Sequence, residues 1–329
     1  MNKKIIIGVV AVALIMIAAF FFFKPGQSQK KLITIGIAQW ASNPDYDDNI
    51  KGFKDGLAEN GYIEGKNIIF ITENPEADKT RQRQIINSFA EKKVDIIYSL
   101  TTPGTLIAKE IVKDKPIVFS IVTYPVEAGV IESLLNSGNN LVGTRNYILF
   151  SKQYEIFEKV YPNTTKMALV HRKDEPNSVI QYQVVKKVLE AKKIEAIDIA
   201  AVDLQDMRNQ LDVNIGKIDA MYISCDTLMQ SGGGSIVIEY GRRYKKPSFT
   251  CLADDVRKGS LMGNVADLYA IGKKAGEKAA LILKGIPPSA LVTESPRESY
   301  LMINKKTAQE LGIAVPQDVL GKANEIIEG

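Results

Sequence analysis

The residues of this chain best suited to hold a small molecule are four aromatic side chains, a threonine pair ahead of a proline, and one aspartate after an apolar run. Trp40, the only tryptophan, stands in IGIAQWASNPDYDD (35–48), just past the apolar run LITIGIA (32–38) and before an Asn-Pro-Asp turn. An indole placed where a strand has ended either caps the core or lines a cleft. With Tyr98, Tyr124 and Tyr147 it could offer flat faces to an aromatic or cyclic ligand, each pair adding about 0.5–1.5 kcal/mol beyond burial. Gln39, one residue earlier, can both donate and accept, as a group that fixes a ligand's orientation must. Thr101 and Thr102 precede Pro103 at an expected helix start, where hydroxyls and free N–H groups suit a carboxylate. The same residues also make an ordinary helix cap. Asn177 and Ser178 open another helix, from which Ser178 could close on the same group. Asp226 follows an apolar strand and is either a helix cap or the counter-ion of an amino group. A carboxylate at the threonines and an ammonium at Asp226 would make the ligand an amino acid or a close relative.

Catalytic chemistry finds little support. The sole histidine, His171, sits in VHRKDEP with no serine or cysteine elbow to partner it. Cys225 and Cys251 with one histidine lack the close spacing of a metal site, so no metal and no cofactor is expected. The two cysteines end what could be neighbouring strands, and a disulfide and two buried free thiols both remain open. SGGGS (231–235) lacks the Lys-Ser/Thr of a phosphate loop and reads as a flexible turn before a helix. The expectation is a binding protein rather than an enzyme.

The elements that must position these residues alternate regularly from Lys31 onward. Strands are expected at 32–39, 67–73, 94–100, 116–122 and 140–144, with helices at 47–61, 78–92 and about 103–113 between them. A second series follows a helix at 150–161: strands at 166–172, 194–200, 218–225 and 247–253, with helices at 176–192, 204–215 and 235–245. A long helix at 267–285, a strand at 300–304 and the segment 305–316 complete the chain. The strand runs are continuously apolar and rich in Ile and Val, which suits parallel sheets covered on both faces. Ligands bind such sheets at the carboxyl ends of the strands. The candidates are therefore the strand-end residues: Gln39 and Trp40, the segment around Thr101, Thr123 and Tyr124, Tyr147, and Asp226 opposite.

At 329 residues the chain is long for one core, and two α/β units are the natural division. The net charge of +4 comes from dispersed lysines, so no basic stripe suggests nucleic acid. The N-terminus begins MNKK and continues as an unbroken apolar run over 5–23. As a helix that run would span roughly 28 Å, close to the thickness of a bilayer core. It is longer than the apolar part of a signal peptide, and no lipobox cysteine follows it. An uncleaved anchor is favoured over a cleaved signal. GQSQKK (26–31) is the tether, and the remainder faces the outside of the cell.

The strand tips, taken in order, resemble the ABC-transporter substrate-binding proteins of the tryptophan/tyrosine type. IAQWASNPDYDDNIKGFKDGLAENGYIEGKNI resembles the family's opening block, and YSLTTPGTLIAK, PIVFSIVTYPVEAGVI and NLVGTRNY resemble the next three. VYPNTTKMALVHRKDEPNS, ISCDT and LGIAVPQDVLGKANEII complete the series, covering about 35–328. Three departures stand out: Tyr124-Pro125-Val126 where the family often has Asp before Pro-Val, the pair Cys225-Asp226, and SGGGS. The resemblance implies a type I periplasmic-binding-protein fold, two Rossmann-like lobes with a hinge cleft. It implies three crossings between lobes, the first lobe being 32–147 with 264–299 and the second 148–263 with 300–329. It also implies capture of a solute by hinge closure and delivery to an ABC permease and, through it, an ATPase. The rival expectation is a ligand-sensing ectodomain that signals through a membrane partner.

Overall fold

The structure is a computed structural model that describes residues 32–296 and 299–328. The apolar run 5–23 and the tether, with the anchor or signal expected there, lie outside the described residues. Two sheets carry the fold. The first has the order β2-β1-β3-β4-β5, all parallel, from β1 (Ile33–Ala38), β2 (Ile68–Glu73), β3 (Ile96–Leu100), β4 (Ile117–Ser120) and β5 (Leu141–Gly143). Strands β3, β4 and β5 are buried at every position, which is why their sequences run apolar without alternation.

The second sheet has the order β12-β11-β10-β9-β8-β6-β7. Its strands are β6 (Lys166–Arg172), β7 (Glu195–Ala201), β8 (Ala220–Ile223), β9 (Ser248–Thr250), β10 (Met262–Val265), β11 (Tyr300–Asn304) and β12 (Glu325–Ile327). One pairing departs from the expected parallel pattern: β11 runs antiparallel to β10. Strand β10 was not expected, because LMGNVA is short and interrupted by Gly263 and Asn264. Asn264 and Val265, placed in the first lobe by the resemblance, pair instead with Leu301 and Tyr300 in the second sheet.

The helices follow the expected rhythm: α1 (Pro44–Glu59), α2 (Lys79–Glu91) and α3 (Thr102–Ile111) on the first sheet. On the second are α4 (Phe150–Val160), α5 (Pro176–Ala191), α6 (Leu204–Asn214), α7 (Gly234–Tyr244) and α8 (Ala253–Lys258). The long helix α9 (Leu268–Leu283) returns to the first lobe, and α10 (Lys305–Leu311) and α11 (Gln317–Leu320) lie between β11 and β12. SGGGS carries a kink just before α7: Ser231 and Gly232 leave helical geometry, Gly232 at φ 114°, as a turn ahead of a helix requires.

Helix α9 is held by its contact with α1. Gly52 and Gly56 on α1 face Gly272 and Gly276 on α9, and a β carbon at any of the four would fall 2.1–2.2 Å from a carbonyl oxygen of the opposite helix. The backbones therefore touch, as small residues at i, i+4 spacing allow. Beneath the seam, Asn49 donates to Leu268 O at 2.8 Å and to Ser120 Oγ at 3.0 Å, and accepts from the Tyr98 hydroxyl at 2.6 Å. The Tyr98 ring stacks on Phe53 at 3.7 Å between centroids.

In the second lobe the cysteine question resolves to a disulfide: Cys225 and Cys251 are bonded across the ends of β8 and β9, with Cα atoms 5.9 Å apart. The core there is aromatic, with Phe157 stacked on Phe249 at 4.3 Å and Phe150 edge-on to Tyr222 at 5.0 Å.

Replacing Gly52 by alanine should force the seam apart and lower the unfolding free energy by about 2 kcal/mol or more, an overpacking cost. Chemical denaturation measures it. Gly216→Ala is the control, because a β carbon there meets nothing within 4 Å.

Candidate ligand-binding cleft

Three adjacent strands of the first sheet end in the same unusual way. Trp40, Thr101 and Ile121, just past β1, β3 and β4, all take positive φ (84°, 67° and 56°). Non-glycine residues held there cost on the order of 1–3 kcal/mol each, and such strain concentrates at functional sites. Trp40 is 2 % exposed, its carbonyl accepts from Ala77 N at 2.7 Å, and its indole Nε1 has no partner among the described residues. The indole lies against the first turn of α3, where a β carbon at Gly104 would sit 3.2 Å from its Cε3. Thr101 caps α3 through Gly104 N, whereas the buried Thr102 hydroxyl has no partner among the described residues. This end of the cleft presents donors and a helix N-terminus, the chemistry that receives an anion.

The facing end, on the second lobe, is acidic. Asp226 is 1 % exposed; it accepts from Arg172 N at 2.9 Å and from Leu228 N and Met229 N at 3.0 Å. Glu175, 3 % exposed, accepts from the backbone N–H and the hydroxyl of Thr227. Burial pushes both carboxyls above the usual range, and the negative charge of Asp226 pushes Glu175 further. Asn177 donates to Cys225 O at 3.4 Å, while its own Oδ1 has no partner among the described residues. Two buried carboxylates side by side are costly unless a cation joins them. Tyr46, from the first lobe, is 1 % exposed and feels Glu175, Asp45 and Asp226; burial above all, and then these charges, hold its phenol protonated.

Of the residues expected from sequence, Trp40, Thr101, Thr102 and Asp226 stand at the facing strand ends. Thr123 donates to Asn146 Oδ1 at 3.0 Å, next to Tyr124. Tyr124 is buried, edge-on to Tyr147 at 5.6 Å, and near enough to raise the phenol of Tyr222 on the opposite lobe. Tyr147 backs Tyr124 and lies under the Arg145 guanidinium at 4.6 Å. Three expectations are corrected. Tyr98 lies inside β3 and points into the first-lobe core against Phe53, not into the cleft. Ser178 is fully buried in the second lobe, its hydroxyl donating to Arg172 O and lying 2.8 Å from His171 Nδ1. Gln39 turns to the surface and donates to Asp47 Oδ1 at 2.7 Å.

His171 does have a serine beside it, contrary to the sequence reading, and Asp198 Oδ1 lies 2.9 Å from its Nε2. The arrangement is structural: Ser178 is sealed from solvent and its proton is committed to a backbone carbonyl. Glu175 and Tyr46 were missed. The signal for Glu175 was its place just before Pro176, a cap position where glutamate is out of character.

The lobes are closed on each other. Tyr46 donates to Gln230 Oε1, Asn43 Nδ2 donates to Gln230 O at 3.5 Å, and Lys79 pairs with Asp174 at 3.6 Å. A cavity of about 270 Å³ remains between the lobes, lined by Trp40, Lys79, Pro103, Arg172, Glu175 and Thr227 among others. At the same closing edge Asp45 on α1 is pushed up to about 6 by burial and by Asp254. Asp48 adds to the push, and Arg257 and Lys258 oppose it. Asp255, facing it from α8, is pushed up to about 8 by burial, Asp254 and Asp45.

Opening the lobes returns Asp45 to water, where its carboxyl titrates near 3.8. The closed form thus binds the proton more tightly, so closure is opposed by the ionised Asp45 at neutral pH. It is favoured progressively as pH falls through about 6 toward 4, by up to about tenfold per pH unit. The acid pair works the opposite way on a cationic ligand, so the comparison must be between variants. Asp45→Asn should bind ligand more tightly than the parent at neutral pH, and the gap should shrink as the solution is acidified. Titration calorimetry of both proteins across this range measures it.

The chain was compared with known proteins. Residues 34–327 match the family model described as ABC transporter substrate binding protein. A tyrosine-binding protein of Clostridioides difficile (strain R20291) is 30 % identical over 282 residues, covering 86 % of this chain and 81 % of that protein. Among solved structures, a domain from Streptococcus pneumoniae in complex with L-Trp superposes with a TM-score of 0.86 at 26 % identity, over 90 % of this chain and 100 % of that one. The ligand-free, open structure of a Clostridium difficile substrate-binding protein with adhesive properties gives 0.72 at 25 % identity, over 90 % and 99 %. The α/β fold is that of the type I periplasmic binding proteins, and the chain belongs to the ABC-transporter substrate-binding proteins, a solute-binding and non-catalytic family.

Proposed function

We propose that this protein captures an aromatic L-amino acid between its lobes and delivers it to an ABC permease, working outside the cytoplasm. The observation that carries the reading is the opposition of two charged subsites. The start of α3, Trp40 and the buried Glu175, whose neighbour is Asp226, border one cavity between the lobes. An α-amino acid presents those two charges on one carbon, and the aromatic faces suit a ring beyond it. The tyrosine-binding name of one relative and the L-Trp bound to another support the same class. The apolar run 5–23 would tether the protein to the membrane, keeping it near its permease.

Trp40 is the only tryptophan, so its emission reports on the cleft alone. After removal of endogenous ligand by mild unfolding and refolding, titration with L-tyrosine should give a saturable spectral shift. Glu175→Gln should weaken that binding tenfold or more, the worth of one hydrogen bond to a charged group. N-acetyl-L-tyrosine, which lacks the ammonium, should bind poorly to the parent protein. Equal binding of the acetylated compound would remove the carboxylate pair from the ammonium site.

A further inference from the structure

The loop after β8 serves two purposes. Its first residues, Asp226 and Thr227, carry the acidic end of the cleft. Four positions after Asp226, Gln230 reaches the other lobe, accepting from the Tyr46 phenol on its side chain and from Asn43 Nδ2 on its carbonyl. Gln230 N donates back to Asp226 O at 3.1 Å, so the two ends of the loop are bound to each other. The segment Met229–Gly233 kinks at Ser231 and Gly232, the latter at φ 114°, a value open to glycine and strained for other residues. On the first lobe both partners belong to the start of α1. Asn43 caps that helix by accepting from Asp45 N at 2.8 Å, and Tyr46 is held in its first turn. The phenol is therefore a donor fixed on a helix end, and Gln230 is its partner on the opposite lobe.

We propose that Tyr46 and Gln230 form a latch that biases the lobes toward the closed state with or without ligand, Gln230 being carried on the loop that begins with Asp226 and Thr227 at the cleft. Both are positioning residues, acting on the closed state and not through contact with the ligand. The direct polar contacts between lobes are few among the described residues, and the ion pair of Lys79 with Asp174 is exposed on both sides, so it contributes little. The bonds to Gln230 are part-buried and carry correspondingly more of the closure.

The test uses Tyr46→Phe, Gln230→Ala and the double variant in the full chain. Each single change should raise the dissociation rate of L-tyrosine about three- to tenfold, read by stopped-flow Trp40 emission, with the association rate unchanged. The double variant should dissociate no faster than the faster single. Small-angle scattering of the ligand-free proteins should show a more extended distribution for all three variants than for the parent. Additive effects in the double variant would overturn the latch. So would an effect confined to Tyr46→Phe, since the phenol would then serve the ligand directly. The dissociation measurement rests on the amino-acid reading; the scattering does not. If no aromatic amino acid binds, that reading fails, and unchanged ligand-free scattering would separately overturn the latch.

Discussion

The rest of the molecule depends on the backbone-to-backbone seam between α1 and α9. Four glycines let two helices approach until a β carbon would meet carbonyl oxygen, and the contact closes the first lobe with a helix that the chain supplies only after building most of the second. The seam also fixes α1 itself. Its middle covers β3 through Phe53 and Asn49, and its first turn presents Asn43, Asp45 and Tyr46 to the opposite lobe. Hinge closure needs lobes that move as bodies. A loose α1 would let its first turn shift independently of the strand ends, and the two halves of the cleft would no longer meet in register.

Against that rigid frame the cleft accumulates local costs. Three strand ends hold non-glycine residues at positive φ, and two carboxylates lie buried beside each other. Elements buried on all sides over-determine these positions, so the strain and charge persist where an isolated loop would relax. The strained strand ends stand on one wall and the paired carboxylates on the other. A ligand can touch both walls only when the lobes are together, which is the differential contact that closure requires.

Much of this could be read from the residues alone. Continuous Ile- and Val-rich runs marked the parallel strands, and Gly or Pro marked most helix ends, so the two α/β units emerged without a structure. β10 and β12 did not: LMGNVA and EII are too short and too mixed in polarity to carry a period, and their pairing is set by neighbours distant in sequence. At the cleft, strand ends located Trp40, Thr101, Thr102 and Asp226. The direction of a side chain near a strand end depends on the exact residue where pleating stops. That ambiguity put Gln39 and Tyr98 in the cleft when one faces the surface and the other the core. At the start of α5 the error was one of helical position: Asn177, not its neighbour Ser178, keeps an unpartnered oxygen. Tyr46 acquires meaning only when the lobes face each other, and nothing local in its sequence distinguishes it from an ordinary helical aromatic; Glu175 left only the faint mark of an uncharacteristic cap before Pro176.

The thinness of the contact between the lobes is itself a constraint. A broad apolar interface would close the cleft without a ligand, and the ligand could then neither enter nor select the closed state. A few hydrogen bonds and an exposed ion pair keep the gap between open and closed within the few kcal/mol that one small molecule can supply through differential contacts. The like charges of Asp45, Asp254 and Asp255 at the closing edge press the same balance toward opening, with Arg257 and Lys258 limiting the effect. Rigid lobes, costly walls and a weak seal therefore belong together. The first gives the ligand a defined geometry, the second gives it something to stabilise, and the third leaves closure dependent on its presence.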